Sequence, residues 1–455
     1  MQAIGLKPDY VDAYYNLGIT LKVLRRLDEA VANFTRAIAL KPRFAEAHHN
    51  LGASLLESGK LEDAEASFKQ AITLKFDYAE AHNNLGIALK EMGRLDEAET
   101  SYTQAIALKP DYTEAHNNLG ITLRGLGRFD KATASYTQAI ALNADYFEAH
   151  YNLGNVLQEQ GSLYEAEASY TQAIALKPGY PEARYNLGIT LQELGKLLEA
   201  ETTYKRAIAL KPGYGDAHYN LATTLQVLGR LDEAEVNYTR AVALKPDFDE
   251  AYYNLGNTLK ELGRLDEAEA RYKQTIALKP ENIDAHNRLL MSLFLQDKKA
   301  AFIDELDYLI NQDNASAIIG SLTCRSAFKY GLNRPNLFCT KPLDYVLHYD
   351  LNARYDFEKI FVEKAKSILD ENKIVERRQA LLVNGHQTSG NIFDIRSDDT
   401  NKIENIIRAE IENYRAKFKE SEEGLIRKMP AEYTLYGWLI SMKSGGNLKP
   451  HIHTE

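Results

Sequence analysis

Apolar and small residues recur along most of this chain as two helical stripes in every period of about 34 residues. In the unit Ala45 to Tyr78, Ala47, Leu51 and Leu55 keep an i, i+4 spacing, and Leu61, Ala64, Phe68, Ala71 and Ile72 begin a second stripe after Gly59. Such stripes are the mark of helices with one buried face, so each unit predicts helix, tight turn, helix. The period is set by Asn16-Leu17-Gly18, whose glycine returns at Gly52, Gly86, Gly120, Gly154 and Gly188, then as Ala222, then as Gly256. A fixed period predicts a solenoid, which grows by stacking rather than by enlarging one core.

Each unit repeats the same punctuation. Gly93, Gly127, Gly161, Gly195, Gly229 and Gly263 recur at the turn, where a residue lacking Cβ ends the first helix at positive φ, and Arg25 is the exception in the first unit. Ala30, Ala64, Ala98 and their successors mark where the second helix crosses the first closely. Phe34, Phe68, Tyr102, Tyr136, Tyr170, Tyr204, Tyr238 and Tyr272 fill the space left between the small positions. Pro42, Pro110, Pro178, Pro212, Pro246 and Pro280 stop the second helix, whereas Phe76 and Ala144 stand in for proline at two softer junctions.

These residues closely resemble the tetratricopeptide repeat family, with eight units from Val11 to Asn282, a degraded ninth from Ile283, and a half repeat at the start. The resemblance implies an all-α, right-handed superhelix over residues 1–316, with the first helices lining a concave face that takes protein or peptide partners. Numbering each unit from the start of its first helix, positions 2, 5, 6 and 9 share a face that is not the apolar stripe. Position 6 is Asn in every full unit: Asn16, Asn50, Asn84, Asn118, Asn152, Asn186, Asn220 and Asn254. An amide offers a donor and an acceptor, so a line of them suits the backbone of an extended peptide; equally, each amide could bond the neighbouring helix and fix the stacking angle. The series resembles the asparagine ladder of the O-linked N-acetylglucosamine transferase family. Position 5 varies, with Tyr15, His49, Asn83 and Asn117 followed by Tyr151, Tyr185, Tyr219 and Tyr253, and variation beside a constant Asn suggests partner selectivity. The acidic residues at position 2, Asp12 to Glu250, suit the dipole of a helix start. His48, His82, His116, His150 and His218 recur once per unit, too far apart to share an ion, and are expected to pack.

Net charge is −10, which argues against a nucleic-acid binder, since phosphate contact needs a basic surface. No apolar run approaches the roughly 20 residues of a membrane helix, and Met1 to Pro8 has no secretory core. The two cysteines, Cys324 and Cys339, form no metal-type cluster, so a reducing, cytoplasmic setting is expected. Residues 2–8 match the end of a second helix, as in Gln104 to Pro110, so the chain reads as an internal piece of a longer reading frame.

From Ala317 the period is gone. A helical linker is expected over 317–379, with Tyr355–Asn372 amphipathic, and a smaller mixed α/β region over 380–455. That region has a helix over Asn401–Phe418 and strands over Ala380–Val383 and Thr434–Lys443. On an extended strand His451, His453 and Glu455 point to one side, as a two-histidine, one-carboxylate iron site begins. His386 is expected to be a polar residue at a turn. Asn384-Gly385-His386-Gln387-Thr388-Ser389-Gly390-Asn391-Ile392-Phe393, then a helix, a Trp438-containing strand and Pro450-His451-Ile452-His453, resemble the opening of a family of 2-oxoglutarate and iron(II)-dependent oxygenases. The resemblance implies Fe(II) and 2-oxoglutarate as cofactors in a longer parent and an incomplete double-stranded β-helix here, with no turnover from this chain. The ligands could be His451 with His453, or His453 with Glu455. The alternative is a pure repeat scaffold with a non-catalytic C-terminal cap.

Overall fold

The computed structural model describes residues 9–312, 316–338, 356, 359, 363, 376–377, 382–388, 398–420 and 440–448. Two compact units divide the chain, Met1–Leu262 and Gly263–Glu455.

The first unit is a row of helix pairs. The first helices are α1 (Val11–Val23), α3 (Ala45–Glu57), α5 (Ala79–Glu91), α7 (Thr113–Gly125), α9 (Phe147–Glu159), α11 (Pro181–Glu193), α13 (Gly215–Val227) and α15 (Asp249–Glu261). The second helices are α2 (Leu27–Leu40), α4 (Leu61–Leu74), α6 (Leu95–Leu108), α8 (Phe129–Leu142), α10 (Leu163–Leu176), α12 (Leu197–Leu210) and α14 (Leu231–Leu244). None of these helices has a side-chain cap at its N-terminus. Short helices of this kind are marginal alone, so packing must hold them. Consecutive first helices approach one another more closely than consecutive second helices do, which bends the row toward the first helices and makes theirs the inner face.

Within a pair, the turn closes as the glycines predicted. Gly93 has φ +78°, its N–H bonds the carbonyl of Lys90, and the next N–H, of Arg94, reaches back to Leu89. That is a Schellman closure, which satisfies carbonyls the helix end would otherwise leave bare. Arg25 takes the same left-handed conformation at φ +59° without being glycine. The small residues do what close approach demands: a Cβ on Gly86 would lie 2.7 Å from Cε1 of Tyr102. Tyr102, Tyr136, Tyr170, Tyr204 and Tyr238 are wholly buried, as are the alanines at the crossing.

The second unit holds a helical row of its own, α16 (Leu265–Leu278), α17 (Ile283–Leu295), α18 (Lys299–Asn311) and α19 (Ala317–Tyr330). The last helix begins where the period was expected to end, and it packs on α17 and α18 through Phe294, Phe302 and Tyr330, whose ring centroids lie 5.4–5.9 Å apart. Asp297 stands at φ +60°, the place glycine holds in the regular units. The amphipathic helix over Asn401–Phe418 is present as α20 (Asp398–Phe418). Strands β1 (Glu376–Arg377), β2 (Leu382–Thr388) and β3 (Ile440–Leu448) form one antiparallel sheet in that order. Of the expected strand residues that are described, 382–383 lie in β2, which runs on to Thr388, and 440–443 lie in β3, which runs on to Leu448. Gly445 and Gly446, expected to turn, instead lie within β3, at a register shift between the Val383–Asn447 and Gly385–Met442 pairs. His386, expected at a turn, lies within β2 opposite Ser441. Among the described residues these strands make a single sheet, not the opposed sheets of a double-stranded β-helix. The helix expected over Tyr355–Asn372, three isolated positions apart, and the candidate ligands His451, His453 and Glu455 lie outside the described residues.

Candidate functional site

Position 6 of each first helix builds the inner face, and its amides are not idle. From repeat 2 onward every one reaches back 35 residues to position 5 of the preceding repeat. Nδ2 of Asn50, Asn186, Asn220 and Asn254 donates to the phenolic oxygens of Tyr15, Tyr151, Tyr185 and Tyr219 at 3.0–3.2 Å. Asn84 Nδ2 meets Nε2 of His49 at 2.9 Å, while Asn118 and Asn152 donate to Oδ1 of Asn83 and Asn117 at 3.2 and 3.1 Å. Asn83 passes the chain on, donating to Oδ1 of Asn84 at 3.3 Å, so one relay links His49, Asn84, Asn83 and Asn118 across three repeats. Asn16, with no described repeat before it, is exposed.

The donor end stitches repeat to repeat. The oxygens of Asn118, Asn152, Asn220 and Asn254 make no hydrogen bond among the described residues, and those side chains are half-buried on the inner face.

Position 5 supplies the other half of these bonds. Tyr15, His49, Asn83, Asn117, Tyr151, Tyr185 and Tyr219 look varied, yet each presents a hydrogen-bond acceptor to the next repeat's amide. The shared chemistry, an acceptor 35 residues before an Asn, was the signal available in the sequence. Asn83 and Asn117 are only 4% exposed, so their variation serves stacking first. The tyrosines, with Tyr253 the last on this face, are half-buried, and Tyr151, Tyr185 and Tyr219 also pack on Tyr180, Tyr214 and Phe248 at 4.7–5.0 Å between centroids. Burial raises the phenols of Tyr185 and Tyr219, and it drives the His49 imidazole down to about 4, with Lys22 adding repulsion. A neutral His49 is the form that can accept from Asn84.

The acidic row at position 2 is partly neutralised by lysines of the same repeat at Glu80, Glu182 and Asp216. Lys211 pairs with Glu182 at 3.2 Å and Lys245 with Asp216 at 2.7 Å, and both ammonium groups also sit over the rings of Tyr214 and Phe248. The recurring histidines hold loops: Nε2 of His48, His116 and His150 contacts the carbonyls of Pro42, Pro110 and Ala144 at 3.0–3.1 Å. Arg184 performs the same task on Pro178. Among the described residues no cluster of histidine, cysteine or carboxylate groups could hold a metal ion, and no helix is long and apolar enough to cross a membrane.

The sequence pattern gave no sign of the hydroxyls beneath this face. Tyr170 donates to Asn155 and Gln158 at 2.8 and 3.0 Å, Tyr204 to Gln192 at 3.2 Å, and Tyr238 to Gln226 at 3.0 Å. The hydroxyls of Tyr102 and Tyr136 are buried with no partner.

Comparison with known families matches models described as TPR repeat at residues 26–59, 53–93, 122–161 and 227–263. Models described as tetratricopeptide repeat match residues 79–112, 145–213, 191–236 and 249–282. Among solved structures, the chain is similar to YrrB, described as a TPR protein with an unusual peptide-binding site, at 24% identity and a TM-score of 0.37, over 40% of this chain and 95% of that one. MamA is similar at 27% identity and a TM-score of 0.35, over 36% and 97%. A chain of the APC/C hetero-tetramer Cut9–Hcn1 is similar at 18% identity and a TM-score of 0.42, over 63% and 56%. No curated protein matches the chain.

Proposed function

The chain belongs to the tetratricopeptide repeat proteins, and from that premise we propose that its first unit is a protein-interaction scaffold that takes an extended protein segment along the inner face of the first helices. One observation carries the reading: Asn118, Asn152, Asn220 and Asn254 each spend a donor in the stack, and their carbonyl oxygens make no hydrogen bond among the described residues. Those oxygens suit the N–H groups of an extended backbone, which recur every second residue on one side of a strand. The half-buried tyrosines from Tyr151 to Tyr253 add apolar surface with polar tips, a composition favoured where proteins meet.

Photo-crosslinking tests this. A benzoyl-phenylalanine placed at Ile121, on the inner face, should form a protein adduct in the cell that makes this chain, and the same group at the exposed Gln138 of α8 should form none. Adducts at Gln138 alone would refute the reading.

A second reading concerns the C-terminal region: residues 380–455 begin a 2-oxoglutarate and iron(II)-dependent oxygenase to which the array delivers its captured segment. The support is the residue pattern of Asn384–Phe393 and Pro450–His453 together with an antiparallel β2–β3 pair. His451, His453 and Glu455 would hold the iron. Equilibrium dialysis with Fe(II) under anaerobic conditions tests it, and equal uptake by the wild type and a His451→Ala, His453→Ala variant would dismiss it.

A further inference from the structure

We propose that the inner face at repeats 3 and 4 carries an anchoring site for a side-chain carboxylate of the bound segment, formed by the Lys90 ammonium and the Tyr102 hydroxyl opposite Gly125. The site deepens the reading of this face as the partner's seat and rests on it.

In repeats 3 to 7 position 24 is a tyrosine, whose ring is buried beneath the inner face. Where position 12 is glutamine, as at Gln158, Gln192 and Gln226, its amide oxygen takes the hydroxyl proton at 3.0–3.2 Å. In repeats 3 and 4 that place holds Lys90 and Arg124, which have donors only. Tyr102 and Tyr136 are 0% exposed, and their hydroxyls have no partner. Native structures keep such orphans few, and each calls for an explanation.

A second, independent series concerns the cations. Position 12 meets position 13 of the next repeat: Lys22 pairs with Glu57 at 3.4 Å and Arg124 with Glu159 at 2.6 Å, and Gln226 donates to Glu261 at 3.4 Å. The residue that should answer Lys90 is Gly125, which has no side chain to offer. Among the described residues no carboxylate pairs with Lys90. Repeat 3 thus combines a cation and a buried hydroxyl donor, and the protein supplies an acceptor to neither. In the next repeat the protein places its own carboxylate, Glu159, beside the equivalent cation.

A planar carboxylate has two oxygens, one for an ammonium and one for a phenol. A phosphoryl group, with roughly twice the charge at neutral pH, would find a single ammonium to answer it. The chemistry therefore favours an aspartate or glutamate of the partner.

Fluorescein-labelled hexaglutamate and hexaglutamine, titrated against the full chain by anisotropy, provide the test. Hexaglutamate should bind at least tenfold more tightly, and Lys90→Gln should remove that preference. The same substitution should raise Tm, because the introduced amide restores the acceptor that Tyr102 lacks. Tyr102→Phe should keep the fold and weaken hexaglutamate severalfold. Equal binding of the two peptides, or a Lys90→Gln variant that binds hexaglutamate unchanged, overturns the site, as does an ordered water joining Lys90 and Tyr102 that persists with hexaglutamate bound. Inner-face crosslinks at Ile121 together with indifference to Lys90 would reject the anchor and spare the groove. Loss of those crosslinks would reject the groove itself.

Discussion

Replacing Asn152 by alanine separates a stacking role from a surface role, because the same substitution at Asn16 is its own control. Both residues stand at position 6 of a 13-residue helix, so the gain in helix propensity, about 0.5 kcal/mol, is common to both. Asn16 is exposed and its amide has no described repeat behind it; Asn152 donates at 3.1 Å to Oδ1 of Asn117, which is 4% exposed. Removing that donor leaves a buried carbonyl oxygen without a partner, at about 1–3 kcal/mol. Asn152→Ala should therefore lie about 1–3 kcal/mol below Asn16→Ala in stability. Replacing both partners, Asn117→Leu with Asn152→Leu, should recover much of the loss, since no buried polar atom is then orphaned. Repeat arrays unfold by neighbouring units and depart from two-state behaviour, so hydrogen exchange of the α7–α9 amides is the assay, with urea unfolding beside it. Equal protection in the two alanine variants, within about 0.5 kcal/mol, would refute the view that the ladder holds the stack.

Three further outcomes follow from the geometry. Gly127 has φ +69° with nothing within 4 Å of an added Cβ, so Gly127→Ala should cost about 1 kcal/mol through the backbone alone, and Gly127→Asn less, by urea unfolding. Asn143 has φ −144° and ψ +97°, close to Lys109 before Pro110, so Ala144→Pro should stabilise by about 0.4–1 kcal/mol, read as a rise in Tm. His49 is neutral when folded, with its pKa lowered to about 4 from 6.5, so the unfolded chain binds the extra proton between those values. Stability should be complete above pH 6.5 and fall as pH drops toward 4, by up to about 3 kcal/mol, and His49→Asn should flatten that slope in denaturant titrations.

The amino-acid order alone determined the repeat: period, turn, crossing and stop are each written in single residues whose geometry admits few substitutes. Gly93 at positive φ and Gly86 against Tyr102 were legible because local sterics decide them. The asparagine row was legible too, but its partners were not, since the bond from Asn152 to Asn117 joins residues 35 apart that only stacking brings together. For the same reason, position 5 looked like free variation until it faced the next repeat's amide. The missing acceptor at Tyr102 and the missing carboxylate opposite Lys90 emerge only when three elements, α5, α6 and α7, are set side by side. Periodicity reports which face a residue takes along its own helix, whereas hydrogen bonding depends on which neighbour meets that face, and that is settled by packing.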